Sequence, residues 1–182
     1  TAFVAGKINN GADLEAGSSQ SFSASSPTGL DLTGDISTSF WVKMESLPAD
    51  YYGFVSKKLG TSPWNQGYAF FLNKNGANYE LVYESANGNT QQAAQTVSVS
   101  VDTWYHIAIV WTAASHKVEF YLDNTLVGTN TAAISNTSNG VTSDPFRLGS
   151  YSGANFFDGI LDEVGIWSRT LTSDEVSTLY NG

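Results

Sequence analysis

The chain has 182 residues, of which 41% are hydrophobic and 13% aromatic, a composition that predicts a folded protein with a sizeable core and excludes a disordered one. There are 17 acidic and 8 basic residues, and the resulting formal charge of −9 argues against binding to nucleic acid or to anionic membranes. The chain has no cysteine, which excludes disulfides and thiolate metal sites, and no apolar run long enough for membrane insertion.

Alternation of apolar and polar residues predicts β-strands along almost the whole chain. β-Branched and aromatic residues dominate these segments, and clusters of Gly, Asn, Asp and Ser separate them. Many short strands divided by turn signals are typical of a sandwich or a barrel. In chain order, the predicted strands cover residues 12–15, 20–24, 37–45, 53–58, 67–73, 79–85, 91–99, 104–111, 117–123, 125–130, 146–149 and 157–168.

Three hairpin turns and one helix have local signals of their own. Asn75-Gly76 and Asn87-Gly88 predict tight hairpins, because both residue types tolerate positive φ. Residues 117–123 followed by Asn124-Thr125 predict another hairpin. A short helix is predicted at the C-terminal end, where a Thr or Ser can cap it and two acidic residues suit its positive end. These helix signals are Thr172, Ser173, Asp174 and Glu175, followed by an apolar stripe of Val176, Leu179 and Tyr180.

Five segments, taken in order, resemble one known family. They are ADLEAGSSQ at 12–20, TGLDLTGDI at 28–36 leading into FWVK at 40–43, TWYHIA at 103–108, VEFYLD at 118–123, and FDGILDEVGIWSRTL at 157–171 followed by SDEV at 173–176. Their order and spacing are similar to those of the laminin-G-like jelly-roll domains in the concanavalin A-like lectin/glucanase superfamily. The resemblance implies one all-β domain over residues 1–182, a two-sheet antiparallel β-sandwich of the jelly-roll type with a short C-terminal helix.

Asp162 is the most informative single residue for a metal site. Strict alternation places Ile160, Asp162, Val164 and Ile166 on one face of the last strand, and this set is predicted to face the other sheet. A carboxylate there needs a cation or several hydrogen-bond donors. The resemblance implies a structural Ca²⁺ held by Asp162 and by Glu15 from the opening strand, with backbone oxygens around Gly17 and Ser19. The alternative is that Asp162 accepts hydrogen bonds from backbone amides, Ser18 or Ser19.

Catalytic sites are poorly supported by the residue pattern. Glu80 and Glu84 share a strand face but lie four residues apart, without the intervening acid of the glucanase motif, so they are interpreted as exposed surface acids. His106 and His116 fall on separate elements without a third ligand, which argues against zinc. We therefore expect no enzymatic activity and no catalytic residues.

A sugar site requires aromatic rings that stack on the sugar and amides that bind its hydroxyl groups. Trp64 lies in a loop beside Asn65, and the alternative for Trp64 is simple packing over the sheet edge. The residues expected to contact a ligand are Tyr51, Tyr52, Trp64, Asn65, Tyr151 and Asn155.

The first functional hypothesis is a non-catalytic, carbohydrate-binding (lectin-like) module of a larger secreted, cell-surface or virion protein. The second is an adhesion or spacer domain that binds a surface protein or has no partner, and a glycan hydrolase ranks third. Few charged residues and many uncharged polar ones suit an extracellular location and neutral ligands. The isolated domain is expected to be a monomer.

Overall fold

The computed structural model describes residues 1–25, 27–58, 66–131, 133–135 and 143–182, which form β-strands and one α-helix, α1 (Ser173–Asn181). Every predicted strand is present, with bounds that differ from the prediction by at most two residues. A further strand at the N-terminus was not predicted. The strands are β1 (Ala2–Ala5), β2 (Asn10–Leu14), β3 (Phe22–Ala24), β4 (Ile36–Met44), β5 (Tyr51–Lys58), β6 (Gln66–Asn75), β7 (Asn78–Asn87), β8 (Thr90–Val97), β9 (Trp104–Thr112), β10 (Lys117–Leu122), β11 (Thr125–Asn130), β12 (Phe146–Leu148) and β13 (Gly159–Trp167).

The strands form two antiparallel sheets. The seven-stranded sheet has the order β1-β2-β13-β4-β9-β10-β11, and the six-stranded sheet has the order β3-β12-β5-β6-β7-β8. Strand β13 pairs with β2, so that Leu161 lies opposite Ala12, as expected for opening and closing strands that lie side by side. The predicted all-β sandwich of the jelly-roll type is confirmed.

The core lies between the two sheets and is rich in aromatic rings. The inner faces of both sheets contribute fully buried side chains, and burying each one stabilises the fold by roughly 1.5–3 kcal/mol. Several rings are in direct contact: the centroids of Phe40 and Phe54 are 5.0 Å apart, and those of Phe70 and Tyr83 are 5.1 Å apart. The largest of these core side chains are Phe40, Phe54, Tyr68, Phe70, Tyr83, Trp111 and Phe120.

Helix α1 covers the outer face of the seven-stranded sheet, the face turned away from the core. Its N-terminus has the predicted cap, because the Thr172 side chain accepts a hydrogen bond from the Glu175 amide and the Glu175 carboxylate accepts one from the Thr172 amide. Val176 packs against the sheet, and Tyr180 stacks on Trp41 with centroids 5.4 Å apart. Within the described residues, no helix is long and apolar enough to cross a membrane.

A bulge in β13 changes which face its side chains occupy. Leu161 lies opposite Val42 of β4 and packs in the core, whereas Asp162 lies opposite Trp41 on the outer face of the sheet. The register then shifts before Gly165, at a point where Glu163 has a φ of 49°. Val164 and Ile166 pack against the core as predicted, but the prediction that Ile160 and Asp162 also face the other sheet is wrong. One bulge residue inverts the alternation on either side of it.

Candidate functional site

A pocket of about 180 Å³ opens on the outer face of the six-stranded sheet and is here called the sheet pocket. Strands β5 and β6 bring together Tyr51 and Phe71, and a tight turn after β12 places Tyr151 beside them. The turn can approach so closely because the facing residue is Gly53, where a Cβ would collide with the backbone of residues 150 and 151. Among the described residues, the lining consists of Asp50, Tyr51, Phe71, Asn73, Gln92 and Tyr151.

Three aromatic rings form one wall of the sheet pocket. The centroid of Tyr51 is 5.0 Å from that of Tyr151 and 5.6 Å from that of Phe71, and the centroids of Phe71 and Tyr151 are 5.3 Å apart. The rings of Tyr51 and Tyr151 are nearly perpendicular, at 80°. This edge-to-face packing adds stability beyond simple burial and holds the rings in one orientation. The three rings therefore have a fixed arrangement, in which Phe71 is almost fully buried at 4% exposure and Tyr51 and Tyr151 are partly exposed.

A buried ion pair lies beneath this wall. The Glu84 carboxylate is only 1% exposed, and the Lys58 ammonium, which is fully buried, lies 2.5 Å from its Oε1 atom. The same Oε1 accepts a hydrogen bond from the Tyr151 hydroxyl at 2.9 Å, while Oε2 accepts one from Gln92 Nε2 at 2.6 Å. The interpretation of Glu84 as an exposed surface acid is wrong. Alternation along β7 shows only that Glu84 faces outward, and the turn that covers it comes from residues far along the chain.

The environment of the two tyrosines reflects burial and negative charge. Burial raises the pKa of the Tyr151 hydroxyl far above its usual range, and the neighbouring Glu84 carboxylate adds to the effect. Burial also raises the pKa of Tyr51, with contributions from the charges of Asp50 and Glu84. Both phenols are therefore neutral at physiological pH and act as hydrogen-bonding groups.

The structure brings together half of the residues predicted to contact a sugar. Tyr51 and Tyr151 line the sheet pocket, and the Asn155 side chain is hydrogen-bonded to the Tyr51 hydroxyl. Tyr52 is not part of this group, because alternation turns its ring inward against Phe157 and its hydroxyl lies 2.6 Å from Ser46 Oγ. Trp64 and Asn65 lie outside the described residues.

Sequence reasoning missed four lining residues: Asp50, Phe71, Asn73 and Gln92. Phe71 stands within the apolar run from Tyr68 to Leu72, where no polar residue marks which side faces outward. The spacing of Phe71 and Asn73, two apart on a strand, was the available signal that they share a face.

Asp162 does not lie with Glu15. Its side chain is 6% exposed and accepts two backbone hydrogen bonds, from the Ile8 amide at 2.9 Å and from the Glu163 amide at 2.9 Å. Backbone amides thus donate hydrogen bonds to the Asp162 carboxylate, as the alternative to a cation predicted. Leu161 pairs with Ala12, so Asp162 and Glu15 are separated by four residue steps along the strands, or about 13 Å at roughly 3.3 Å per residue. The prediction that Asp162 and Glu15 bind the same Ca²⁺ is therefore wrong, because their positions are too far apart.

Glu15 instead belongs to an acidic cluster with Asp13 and Glu45. One carboxylate oxygen of each residue lies within 4.8 Å of those of the other two. Asp13 Oδ1 is shielded from solvent and has no hydrogen-bond partner among the described residues. Burial and the nearby charges of Asp13, Glu15 and Asp158 raise the pKa of Glu45.

The other two expected ligands, Gly17 and Ser19, follow Glu15 in a short 3-10 turn. The Glu15 carbonyl accepts hydrogen bonds from the amides of Ser18 and Gln20, and Ser19 has a φ of 54°. This turn follows the end of β2 at Leu14, which pairs with Gly159 and not with Asp162.

The two histidines lie apart, as the sequence indicated. His106 is 1% exposed beneath α1, where its Nε2 lies 2.8 Å from Ser39 Oγ and burial lowers its pKa to about 4. His116 is exposed in the turn before β10, and its Nδ1 lies 3.0 Å from the Ile134 carbonyl.

Several solved structures share this fold at low sequence identity. Domain 4 of AbnA, a GH43 extracellular arabinanase from Geobacillus stearothermophilus in complex with arabinotriose, is 21% identical, with a TM-score of 0.74 over 98% of this chain and 80% of that one. The CBM40 domain of the Ruminococcus gnavus IT-sialidase, bound to α2,3-sialyllactose, is 14% identical, with a TM-score of 0.73 over 93% and 96%. A SAP-like pentraxin from Limulus polyphemus is 16% identical, with a TM-score of 0.60 over 83% and 71%.

The TM-scores demonstrate a common fold, and at these low identities they say nothing about the ligands of this chain. No protein of curated function matches the chain significantly. A family model does match, over residues 16–177, and its description is the concanavalin A-like lectin/glucanases superfamily. The match spans both sheets and reaches into α1, in agreement with the observed topology. The chain therefore belongs to the concanavalin A-like lectin/glucanases superfamily.

Proposed function

We propose that the chain is a non-catalytic, lectin-like carbohydrate-binding module of a larger secreted, cell-surface or virion protein. The observation that carries the proposal is the sheet pocket, where the rings of Tyr51, Phe71 and Tyr151 stand beside the carboxamides of Asn73 and Gln92. Aromatic faces bind the C–H surface of a sugar ring, and carboxamides bind its hydroxyl groups. Structures of similar fold whose names include arabinotriose and α2,3-sialyllactose are in keeping with this role.

The carboxylates near the pocket support binding rather than hydrolysis. A glycosidase needs one carboxyl group that donates a proton and a second that attacks the sugar or activates water. Both oxygens of Glu84 are engaged by Lys58, Tyr151 and Gln92. Glu80 accepts hydrogen bonds from two asparagine side chains on β6. Glu84, which is 1% exposed, is therefore not free to donate a proton to a sugar or to attack it.

A glycan array followed by titration calorimetry tests the proposed function. Tyr51→Ala and Tyr151→Ala should each weaken binding at least tenfold, because each removes a ring from the wall. Phe3→Ala is the matched control, since Phe3 is an aromatic residue 71% exposed on the other sheet. Trp64→Ala tests the remaining predicted aromatic residue. An array with no bound glycan, or binding that both tyrosine variants retain, would refute the proposal.

A structural Ca²⁺ is the second part of the proposal, and its best-supported place is now the cluster of Asp13, Glu15 and Glu45. Ca²⁺ takes six to eight oxygen ligands, so three converging carboxylates with backbone oxygens suit it. The unpartnered oxygen of Asp13 and the raised pKa of Glu45 indicate that a cation would relieve mutual repulsion.

Calorimetric titration with Ca²⁺ after chelation, together with melting curves, tests this site. Ca²⁺ should raise the melting temperature of the wild type by mass action. Glu45→Gln should reduce the effect, whereas Asp162→Asn should leave Ca²⁺ binding unchanged. Absence of both heat and a thermal shift would contradict the calcium proposal.

The rival role is an adhesion domain with a protein partner, and one surface feature favours it. Phe3 and Phe22 are both exposed, with centroids 6.3 Å apart, beside a mainly apolar pocket of about 300 Å³. Exposed apolar surface of this kind is found at protein interfaces. A silent glycan array together with a partner whose binding Phe3→Ala abolishes would favour this second role.

A further inference from the structure

The direction of the hydrogen bonds in the sheet pocket determines what it offers a ligand. The Tyr151 hydroxyl and Gln92 Nε2 both donate to Glu84, and Asn73 Nδ2 donates to Glu80 Oε2 at 3.4 Å. An ionised carboxylate can only accept, so these directions are set by chemistry. The Tyr151 oxygen and the carbonyl oxygens of Gln92 and Asn73 remain as acceptors. The remaining donors are the Tyr51 hydroxyl and the second N–H of each carboxamide, so once the two Asp50 oxygens are added the acceptor atoms outnumber the donor groups.

The charge of the sheet pocket is negative. Asp50 is exposed at its rim, and Lys58 is buried beneath the wall in its ion pair with Glu84. All eight basic residues lie in the described parts of the chain, and none of them lines the pocket. Burial is the main cause of the raised pKa of Tyr51, and the negative charges of Asp50 and Glu84 add to it.

Resting on the proposed function, we infer that the sheet pocket selects a neutral, hydroxyl-rich sugar unit and rejects anionic sugars such as uronic or sialic acids. The hydroxyl groups of a neutral sugar can donate hydrogen bonds to the many acceptor atoms of the sheet pocket. A carboxylate-bearing sugar brings acceptors and a negative charge close to Asp50, no described basic residue lines the pocket to balance that charge, and like charges placed together disfavour binding. The volume of about 180 Å³ lies below the ~300–1,000 Å³ of pockets for drug-sized ligands, so the pocket suits a small group such as a single sugar ring.

Titration with glycan pairs that differ in charge tests the inference. The probes are lactose against α2,3-sialyllactose, a galactose trimer against a galacturonic acid trimer, and xylotriose against its glucuronic acid-substituted form, with arabinotriose as a further neutral probe. We expect the neutral member of at least one pair to bind about tenfold or more tightly than its anionic counterpart at low salt. Higher ionic strength should narrow this preference, because salt screens exposed charges.

A charge reversal at the rim separates electrostatics from shape. Asp50→Lys should shift the ratio of the two affinities about tenfold toward the anionic member. Asp174→Lys is the matched control, since Asp174 is exposed on α1 against the other sheet and its reversal should leave the preference unchanged. Circular dichroism verifies that both variants are folded.

The possible outcomes are distinct. Anionic glycans that bind as well as neutral ones, with binding lost in Tyr51→Ala, overturn the inference and leave the proposed function standing. A preference unchanged in Asp50→Lys also overturns it. If no glycan of either class binds, the proposed function fails, and the inference fails with it.

Discussion

Replacing Glu84 with glutamine removes the negative charge that faces Lys58 while leaving the shape of the side chain almost unchanged. The pair is fully shielded from solvent, with Lys58 at 0% and Glu84 at 1% exposure. Removing one partner of a buried ion pair costs about 3–5 kcal/mol, because the other charge is left desolvated. Glutamine can still accept hydrogen bonds from Tyr151 and Lys58, so we expect about 3 kcal/mol. For a chain of this length, that corresponds to a fall in Tm of about 6–12 °C.

Thermal unfolding followed by circular dichroism measures this change. Glu80→Gln is the matched control, because Glu80 lies on the same strand and face and forms no ion pair with the described residues. It should alter the free energy of unfolding by less than about 0.5 kcal/mol. Lys58→Met added to Glu84→Gln should recover stability, since a buried pair replaced as a whole is often neutral. Equal, small effects of Glu80→Gln and Glu84→Gln would refute the reasoning.

Three further predictions concern pH and the backbone. Burial lowers the folded-state pKa of His106 to about 4, so its contribution to the free energy of unfolding should be fully present above about pH 6.5 and fall by up to about 3 kcal/mol toward pH 4. Urea unfolding repeated at several pH values should show that this free energy depends less on pH in His106→Gln than in the wild type. The hydrogen bond from Arg169 lowers the pKa of Glu175 to about 2. Glu175→Gln should therefore melt below the wild type at pH 7, and this difference in Tm should disappear as pH falls toward 2. A difference in Tm that stays constant with pH would contradict this reasoning. At the bulge, Glu163→Val should cost about 1–2 kcal/mol in urea unfolding because φ is positive there, whereas Glu163→Gly should cost little.

The elements with local causes could be predicted from the sequence. Gly76 and Gly88 have φ of 61° and 79° in the two predicted hairpins. The third hairpin turns at Asp123 and Asn124, both with positive φ, which is one residue earlier than the predicted turn at Asn124-Thr125. Helix α1 begins at its predicted cap because Thr172 and Glu175 need only each other's backbone and side chain.

The candidate site could be predicted only in part. Tyr51, Tyr151 and Asn155 were identifiable because aromatic and amide residues beside turns stand out. Their association with Phe71 and Gln92 depends on the order of strands in the six-stranded sheet, and neither residue differs locally from its neighbours. The ion pair of Lys58 and Glu84 depends on the same order, together with the turn at Tyr151.

The sequence by itself determined that this chain forms a sandwich of alternating strands with a capped C-terminal helix, because period, turn residues and caps act over a few neighbouring positions. Tertiary structure decided which way individual charges face. A single bulge at Glu163 placed Asp162 on the outside of its sheet. The register between β13 and β2 set Asp162 about 13 Å from Glu15, and strand pairing grouped Glu15 with Asp13 and Glu45. A one-residue slip reverses every later side chain of a strand, and only the partner strands determine where it occurs.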